Sequence, residues 1–130
     1  MPQSLVDKEV GHTGLTELRV VGSMHERKAL MADLADAFIA LPGGYGTLEE
    51  FCEVLTWAQL GFHRKPHGVL NTTGFYDPLL QFFDHAVAES FIRQAHRDVI
   101  VAESDPGRLL DLLAQSHVPN LDKWIGRDPE

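Results

Sequence analysis

The sequence predicts an α/β fold, in which a parallel sheet carries helices on both faces. Short apolar runs of the kind found in buried parallel strands alternate with segments whose apolar residues recur at helical spacing. The predicted strands are 18–21, 37–41, 68–70 and 98–102, and a predicted helix follows each of them. From this alternation and the chain length we expect a single domain over 1–118 and a C-terminal tail over 119–130.

Composition excludes several classes of protein. The chain has 130 residues, of which 44% are hydrophobic, and this is enough for one domain with a buried core. Its formal net charge of −8 argues against general binding to nucleic acid or to an anionic membrane. The chain lacks an apolar run near the roughly 20 residues that span a bilayer, and it starts without a signal-peptide core. Because it also has one cysteine, we expect a cytoplasmic protein without a disulfide.

The first predicted helix begins with a capping pattern and two cations. Ser23, with Glu26 three positions later, has the spacing of a capping box, so the helix should begin near Met24. Arg27 and Lys28 then fall at the start of the helix, where the helix dipole disfavours positive charge. An anionic ligand would explain this placement.

The later helix boundaries rest on glycine and proline. Gly61 suits the end of the second helix, since glycine readily adopts the left-handed conformation of a C-terminal cap. Asp77-Pro78 and Asp105-Pro106 each place a capping carboxylate before a proline, so we expect the third and fourth helices to open there.

A glycine-rich loop, Leu41–Glu50, follows the second predicted strand. Its glycines leave backbone N–H groups uncovered at the start of a helix, and such a helix terminus attracts an anion, most often a phosphate. Glu50 is predicted to lie in the first helical turn beside that anion. It is a candidate for chemistry, although a carboxylate at a helix start also has a purely structural explanation through the dipole.

Arg27, Lys28 and the glycine loop should open on one edge of the sheet. Each follows a predicted strand, and ligands of open parallel sheets bind beyond the carboxyl ends of the strands. If the two strands are neighbours, both cations, the loop amides and Glu50 converge on one pocket.

The residues also resemble a known family. Leu41–Glu50 is similar to the PGGxGTxxE motif of the Lonely Guy (LOG) family, the cytokinin riboside 5′-monophosphate phosphoribohydrolases, formerly called lysine decarboxylases. Ser23–Lys28 (SMHERK) and Thr56–Gly61 (TWAQLG) resemble the same family, as do the later HRKP and YDPLL stretches. The resemblance covers nearly the whole chain with its motifs in the family order.

This resemblance implies a Rossmann-like homodimer that hydrolyses the N-glycosidic bond of an N6-modified adenosine 5′-monophosphate, without a cofactor. The free base and ribose 5-phosphate would be the products. By motif position it implies that Glu50 and Arg27 are catalytic. The positions that it implies for substrate binding are Glu9, Arg27, Lys28, Gly43, Gly44, Tyr45, Gly46, Thr47, Leu48, Glu49, Glu50 and Thr56.

One departure from the family concerns the N-terminus. Members begin several tens of residues earlier, with a βαβ segment that carries a second glycine-rich turn. Here Met1 falls near the end of what would be the third strand of the family, so we expect the chain to lack that segment.

Two other functions fit the same motifs. An AMP nucleosidase would differ only in how its pocket treats the N6 substituent. A non-catalytic nucleotide or cofactor carrier, like the molybdenum-cofactor carrier proteins of related fold, would use the loop for binding alone. Retention of Glu50 with Arg27 favours an enzyme.

Other chemistries fit the sequence less well. His63 and His67 are separated by Pro66, which prevents the i, i+4 helical pair of a metal site, so we assign no metal. Cys52 falls on the apolar stripe of the second helix and is interpreted as a core residue. The glycine loop lacks GK[ST] and GxGxxG, which argues against NTP hydrolysis and dinucleotide binding.

Overall fold

The structure is a computed structural model that describes residues 19–116. The chain forms two compact units, Met1–Ala35 and Asp36–Glu130. The described part of the first unit contains helix α1 (Met24–Leu34). The second contains β1 (Phe38–Ala40), α2 (Tyr45–Gln59), β2 (His67–Leu70), a 3₁₀ turn (Thr72–Gly74), α3 (Asp77–Ala88), α4 (Gln94–Arg97), β3 (Ile100–Glu103) and α5 (Pro106–Gln115).

Helix α1 begins where its capping residues predict. The Ser23 hydroxyl accepts a hydrogen bond from Glu26 N at 3.2 Å, and the Glu26 carboxylate accepts one from Gly22 N. The first bond satisfies a backbone donor that the helix start leaves free, and the second ties the residue before the cap to the first turn. Among the described residues of the strand predicted over 18–21, only Val21 pairs, as a single bridge, and Leu18 lies outside them.

A three-stranded parallel sheet in the order β1-β2-β3 forms the centre of the second unit. His67 pairs with Phe38 on one side and with Ile100 on the other, and the register continues along all three strands. Strands that follow one another in sequence are neighbours in space, as repeated strand–helix units favour. The predicted α/β fold is confirmed, and the arrangement is consistent with a Rossmann-like fold.

Helices cover both faces of this sheet, as predicted. Val69 faces α2 and α3, and it packs there in a buried core with Phe51 and Tyr76. Gly68 points to the opposite face, where a Cβ would lie 2.9 Å from Leu109 Cδ1 of α5. Because α5 approaches β2 this closely, glycine fits at this position and a larger residue does not.

Of the two helix starts predicted at Asp-Pro pairs, one agrees with the structure and the other does not. Helix α5 opens as predicted, since the Asp105 carboxylate accepts a hydrogen bond from Arg108 N at 2.8 Å. Helix α3 does not use Asp77 as its cap, because Asp77 is already helical and Tyr76 occupies the capping position. The Asp77 carboxylate instead accepts a hydrogen bond from Asn71 Nδ2 at 2.8 Å.

The segment before β3 also differs from the prediction. The strand spans Ile100–Glu103 instead of 98–102, because Gln94–Arg97 form the short helix α4 and Asp98 caps it through its amide. The end of α2 agrees with the prediction, since Gly61 follows it with φ +86°.

Candidate active site

The glycine loop joins the carboxyl end of β1 to an open helix start. Tyr45 is the first residue of α2, Gly44 occupies its capping position, and no side chain of the described residues caps it. The first backbone bond of the helix runs from Leu48 N to Gly44 O at 3.1 Å. The earlier amides therefore stand free at the positive end of α2, which is the arrangement that binds an anion.

The three glycines of this loop differ in their surroundings. A Cβ on Gly43 would lie 2.3 Å from Thr47 Oγ1, so glycine lets the Thr47 side chain pack against the loop. A Cβ on Gly44 or Gly46 would meet no heavy atom of the described residues within 4 Å. At those two positions the backbone is open to a ligand.

Glu50 lies in the second turn of α2 and not, as the sequence predicts, in the first. The reason is that α2 begins at Tyr45 and has no acidic residue in its first turn. Glu50 is half-buried, and none of the hydrogen bonds or ion pairs of the described residues uses its carboxylate. The effect of the helix dipole fades beyond the first turn. Interaction with the dipole therefore explains the position of this carboxylate less well than the sequence suggests.

The other predicted residues of this segment differ in their exposure to solvent. Tyr45 is 92% exposed and Glu49 is also exposed, so both are accessible from solvent. Leu48 is half-buried and packs against the core beneath the loop. If Leu48 contributes to a ligand site, it does so through its backbone.

Tyr76 and Asn71 anchor the glycine loop to the turn after β2. The Tyr76 hydroxyl donates a hydrogen bond to the Leu41 carbonyl, and Asn71 Oδ1 accepts one from Tyr76 N at 2.7 Å. Tyr76 is only 2% exposed, and this burial raises the pKa of its phenol. Sequence reasoning missed both residues, although the position of Asn71 directly after a predicted strand placed it on the ligand-binding edge of the sheet.

A shallow polar hollow lies beside this turn, at the carboxyl ends of β2 and β3. The Glu103 carboxylate accepts hydrogen bonds from Asp105 N and Ser104 N at 3.1 and 2.9 Å, and pairs with Arg108 at 3.0 Å. The amide of Asp105 is the main cause that lowers the pKa of Glu103. The residues that line the hollow are Asn71, Thr73, Gly74, Ala102, Glu103 and Ser104.

Thr56 lies away from the loop, on a mostly apolar cleft of about 250 Å³ between α2 and the segment that runs from α3 to β3. It follows Glu50 by six residues, which is about 9 Å along a helix. Its hydroxyl donates a hydrogen bond to the Cys52 carbonyl at 2.8 Å.

Cys52 lines the same cleft and is exposed, so the prediction of a core cysteine is wrong. Partial burial nevertheless raises the pKa of its thiol.

The predicted cations belong to the first unit. Arg27 and Lys28 are half-buried on α1, and the Arg27 guanidinium lies 3.9 Å from Met24 Sδ. Glu9 lies outside the described residues. The convergence of these residues with Glu50 stays a prediction.

Residues 19–116 contain no group of three or more His, Cys, Asp or Glu side chains placed to hold a metal ion. None of their helices combines the length and apolar character needed to cross a membrane.

A parallel sheet with an open helix start behind a glycine-rich loop defines a protein of the Rossmann-like α/β class. Comparison with known proteins identifies the family within this class. The chain belongs to the family described as "possible lysine decarboxylase", which matches residues 1–113.

Curated relatives agree with this family. Over its whole length the chain is 54% identical to the cytokinin riboside 5′-monophosphate phosphoribohydrolase LOG of Oryza sativa subsp. japonica, and covers 53% of that protein. Over 98% of its length it is 49% identical to the LOG2 phosphoribohydrolase of Arabidopsis thaliana, and covers 59% of it. The chain thus spans about half the length of the curated relatives it matches, and the resemblance to the LOG family is confirmed.

Proposed function

We propose that this protein hydrolyses the N-glycosidic bond of an N6-modified adenosine 5′-monophosphate and releases the free base and ribose 5-phosphate. The names of relatives about half identical to the chain support this substrate class. We assign no cofactor to the reaction. We also propose a cytoplasmic homodimer.

The half-buried Glu50 carboxylate is the observation that carries the proposal. Breaking the bond between C1′ and the base nitrogen develops positive charge on the sugar. A carboxylate stabilises that charge or aligns the attacking water, and it does so best when it is not already engaged by the protein. Glu50 makes no hydrogen bond or ion pair with a described residue and lies about one helical turn beyond Gly46, so it is suited to this role.

The glycine loop would hold the 5′-phosphate. The open backbone at Gly44 and Gly46 and the uncapped start of α2 together offer N–H donors to a phosphate. Gly43, Thr47 and Leu48 would shape this cradle through their packing.

The remaining predicted residues would complete the pocket. Arg27 would bind phosphate oxygens with its planar guanidinium or orient the leaving base, and Lys28 would add positive charge. We assign Glu9, Tyr45, Glu49 and Thr56 to substrate contacts, which the family resemblance supports.

Exchange of Glu50 for glutamine tests the catalytic role. We expect Glu50→Gln to lower kcat/KM for isopentenyladenosine 5′-monophosphate by about 100-fold or more, since a positioned acid–base group contributes at least this much. Release of free base, followed by chromatography, is the measurement. Binding of AMP by calorimetry should persist, because the loop amides are unchanged.

Glu89→Gln is the matched control, because it removes the same charge from an exposed position at the end of α3. It should keep wild-type activity. Undiminished base release by Glu50→Gln would remove Glu50 from catalysis. Nucleotide binding by the wild-type protein without any base release would favour the carrier function, and equal rates with AMP and N6-modified substrates would favour an AMP nucleosidase.

A further inference from the structure

A cluster of aromatic rings closes the amino-terminal end of the sheet, opposite the glycine loop. His67, the first residue of β2, is 0% exposed. Its ring centroid lies 5.3 Å from that of Phe38, 5.4 Å from that of His63 and 6.1 Å from that of Phe51. The ring is therefore surrounded by β1, by α2 and by the segment that follows α2.

The buried ring of His67 lacks a hydrogen bond of normal geometry, although the Val54 carbonyl lies near enough to favour a proton on it slightly. Neither Nδ1 nor Nε2 has a partner among the described residues. A neutral imidazole carries one N–H, and a protonated one carries two. Because an unsatisfied buried donor is costly and an unpaired buried charge more so, this environment disfavours the protonated ring.

The hydrogen bonds of His63 also require a neutral ring. Nδ1 accepts a hydrogen bond from Lys65 N at 3.1 Å, so it carries no proton. The contact between Nε2 and the Val54 carbonyl at 2.9 Å then assigns the proton to Nε2. A second proton on His63 would break the contact with Lys65 N and place a charge against His67.

We propose that His63 and His67 form an acid-sensitive contact that holds the amino-terminal end of the sheet closed while both rings are neutral, and opens when either ring gains a proton. The contact joins β1, β2 and the end of α2, so its loss would release the segment that connects α2 to β2. This inference does not depend on the proposed catalytic activity.

The neighbours of His63 and His67 also disfavour a proton on either ring. Phe38, Phe51 and Ile100, which face or pair with His67 from β1, α2 and β3, carry no charge. The titratable neighbours are His63 itself and Lys65, and both are positive when protonated. The described hydrogen bonds and ion pairs of the two rings include no carboxylate that would stabilise a proton there.

The pKa values follow this environment. Burial is the main cause that lowers the pKa of His67 from 6.5 to about 4, the charge of His63 adds to it, and the nearby Val54 carbonyl opposes both to a smaller extent. Burial likewise lowers the pKa of His63. The unfolded chain therefore gains these protons first as the pH falls, so the stability from the neutral pair is complete above pH 6.5 and is lost towards pH 4.

Urea unfolding of the wild-type protein and of His67→Leu at pH 8 and pH 5 tests the proposal. Leucine has a similar volume and no titratable group. We expect the wild-type unfolding equilibrium constant to rise between these pH values by about 30-fold more than that of His67→Leu, as a shift from 6.5 to about 4 requires. His85→Gln removes an exposed histidine of α3 and should keep the wild-type pH dependence.

Histidine NMR of the wild-type protein gives a second measurement that needs no variant to fold. The His67 resonances should remain those of a neutral ring down to pH 5. Equal pH dependence in His67→Leu and wild type would overturn the proposal. A His67 titration midpoint at pH 6 or above would overturn it as well.

Discussion

Two glycines of the loop, Gly43 and Gly46, meet different physical demands. Gly43 is needed for packing, because Thr47 Oγ1 would lie 2.3 Å from any Cβ. Gly46 has open space above it and lies inside the first turn of α2. A packing requirement affects the stability of the fold, whereas open space affects what the loop can bind.

Alanine substitutions should separate these two demands. We expect Gly43→Ala to lower the free energy of unfolding by about 1–3 kcal/mol, the usual cost of overpacking. Gly46→Ala should raise it by about 0.5 kcal/mol, because alanine favours the helix. The same Gly46→Ala change should weaken AMP binding, since its methyl group fills the space over the loop amides.

Chemical denaturation and calorimetry with AMP are the measurements for these variants. Unchanged AMP affinity in Gly46→Ala would argue that the phosphate does not approach the backbone there. Unchanged stability in Gly43→Ala would show that Thr47 can rotate away from the loop at little cost.

At the scale of elements, the position of α5 depends on the absence of a side chain at Gly68. A Cβ there would lie 2.9 Å from Leu109 Cδ1, 3.2 Å from Leu113 Cδ2 and 3.2 Å from the Val101 carbonyl. The two leucines are the buried residues of α5. The helix therefore cannot retreat without exposing them.

Gly68→Ala should thus destabilise the protein by about 1–3 kcal/mol, because the added methyl group displaces a packed helix. Thermal unfolding followed by circular dichroism measures this loss. Gly107→Ala is the matched control within α5, since a Cβ there meets only Asp105 Oδ2 at 3.6 Å, an ordinary contact. A melting temperature of Gly68→Ala equal to that of Gly107→Ala would contradict the tight packing of α5 on β2.

The element boundaries show how far local patterns determine structure. The starts of α1 and α5 and the end of α2 agree with the predictions because capping residues act within a few positions of themselves. The start of α3 does not, because Asn71 attracts the Asp77 carboxylate from outside the helix. Local pattern also missed α4, which at four residues is too short to show periodicity.

At the scale of the whole molecule, the net negative charge disfavours binding of the proposed substrate. The net charge of −8 opposes the approach of an anionic nucleotide. The attraction must therefore come from local groups such as the loop amides. It will be short in range, because exposed charges are screened over about 10 Å at moderate salt.

The proposed homodimer has a direct test at this scale. We expect light scattering coupled to size-exclusion chromatography to give twice the mass of one chain, since the family resemblance implies a dimer. The measurement should be repeated over a tenfold range of protein concentration. The mass of a single chain at every concentration would remove the dimer from the proposal without affecting the test of Glu50.

The amino-acid sequence by itself determined the α/β class, the parallel direction of the strands, the glycine loop and most helix ends. These features depend on periodicity and on residues that act over a few positions, so a linear pattern contains them. The identity of the loop as a family motif also needed no structure, because its residues are contiguous.

Only the tertiary structure decided the environments of particular side chains. It placed Glu50 in the second turn of α2, exposed Cys52, and joined Tyr76 to the loop through the Leu41 carbonyl. It also brought His63 and His67 together, a pair that the intervening proline excludes from one helix. Burial and ring contacts depend on which elements pack together. That packing is determined by residues that are distant in sequence, so a local pattern does not contain it.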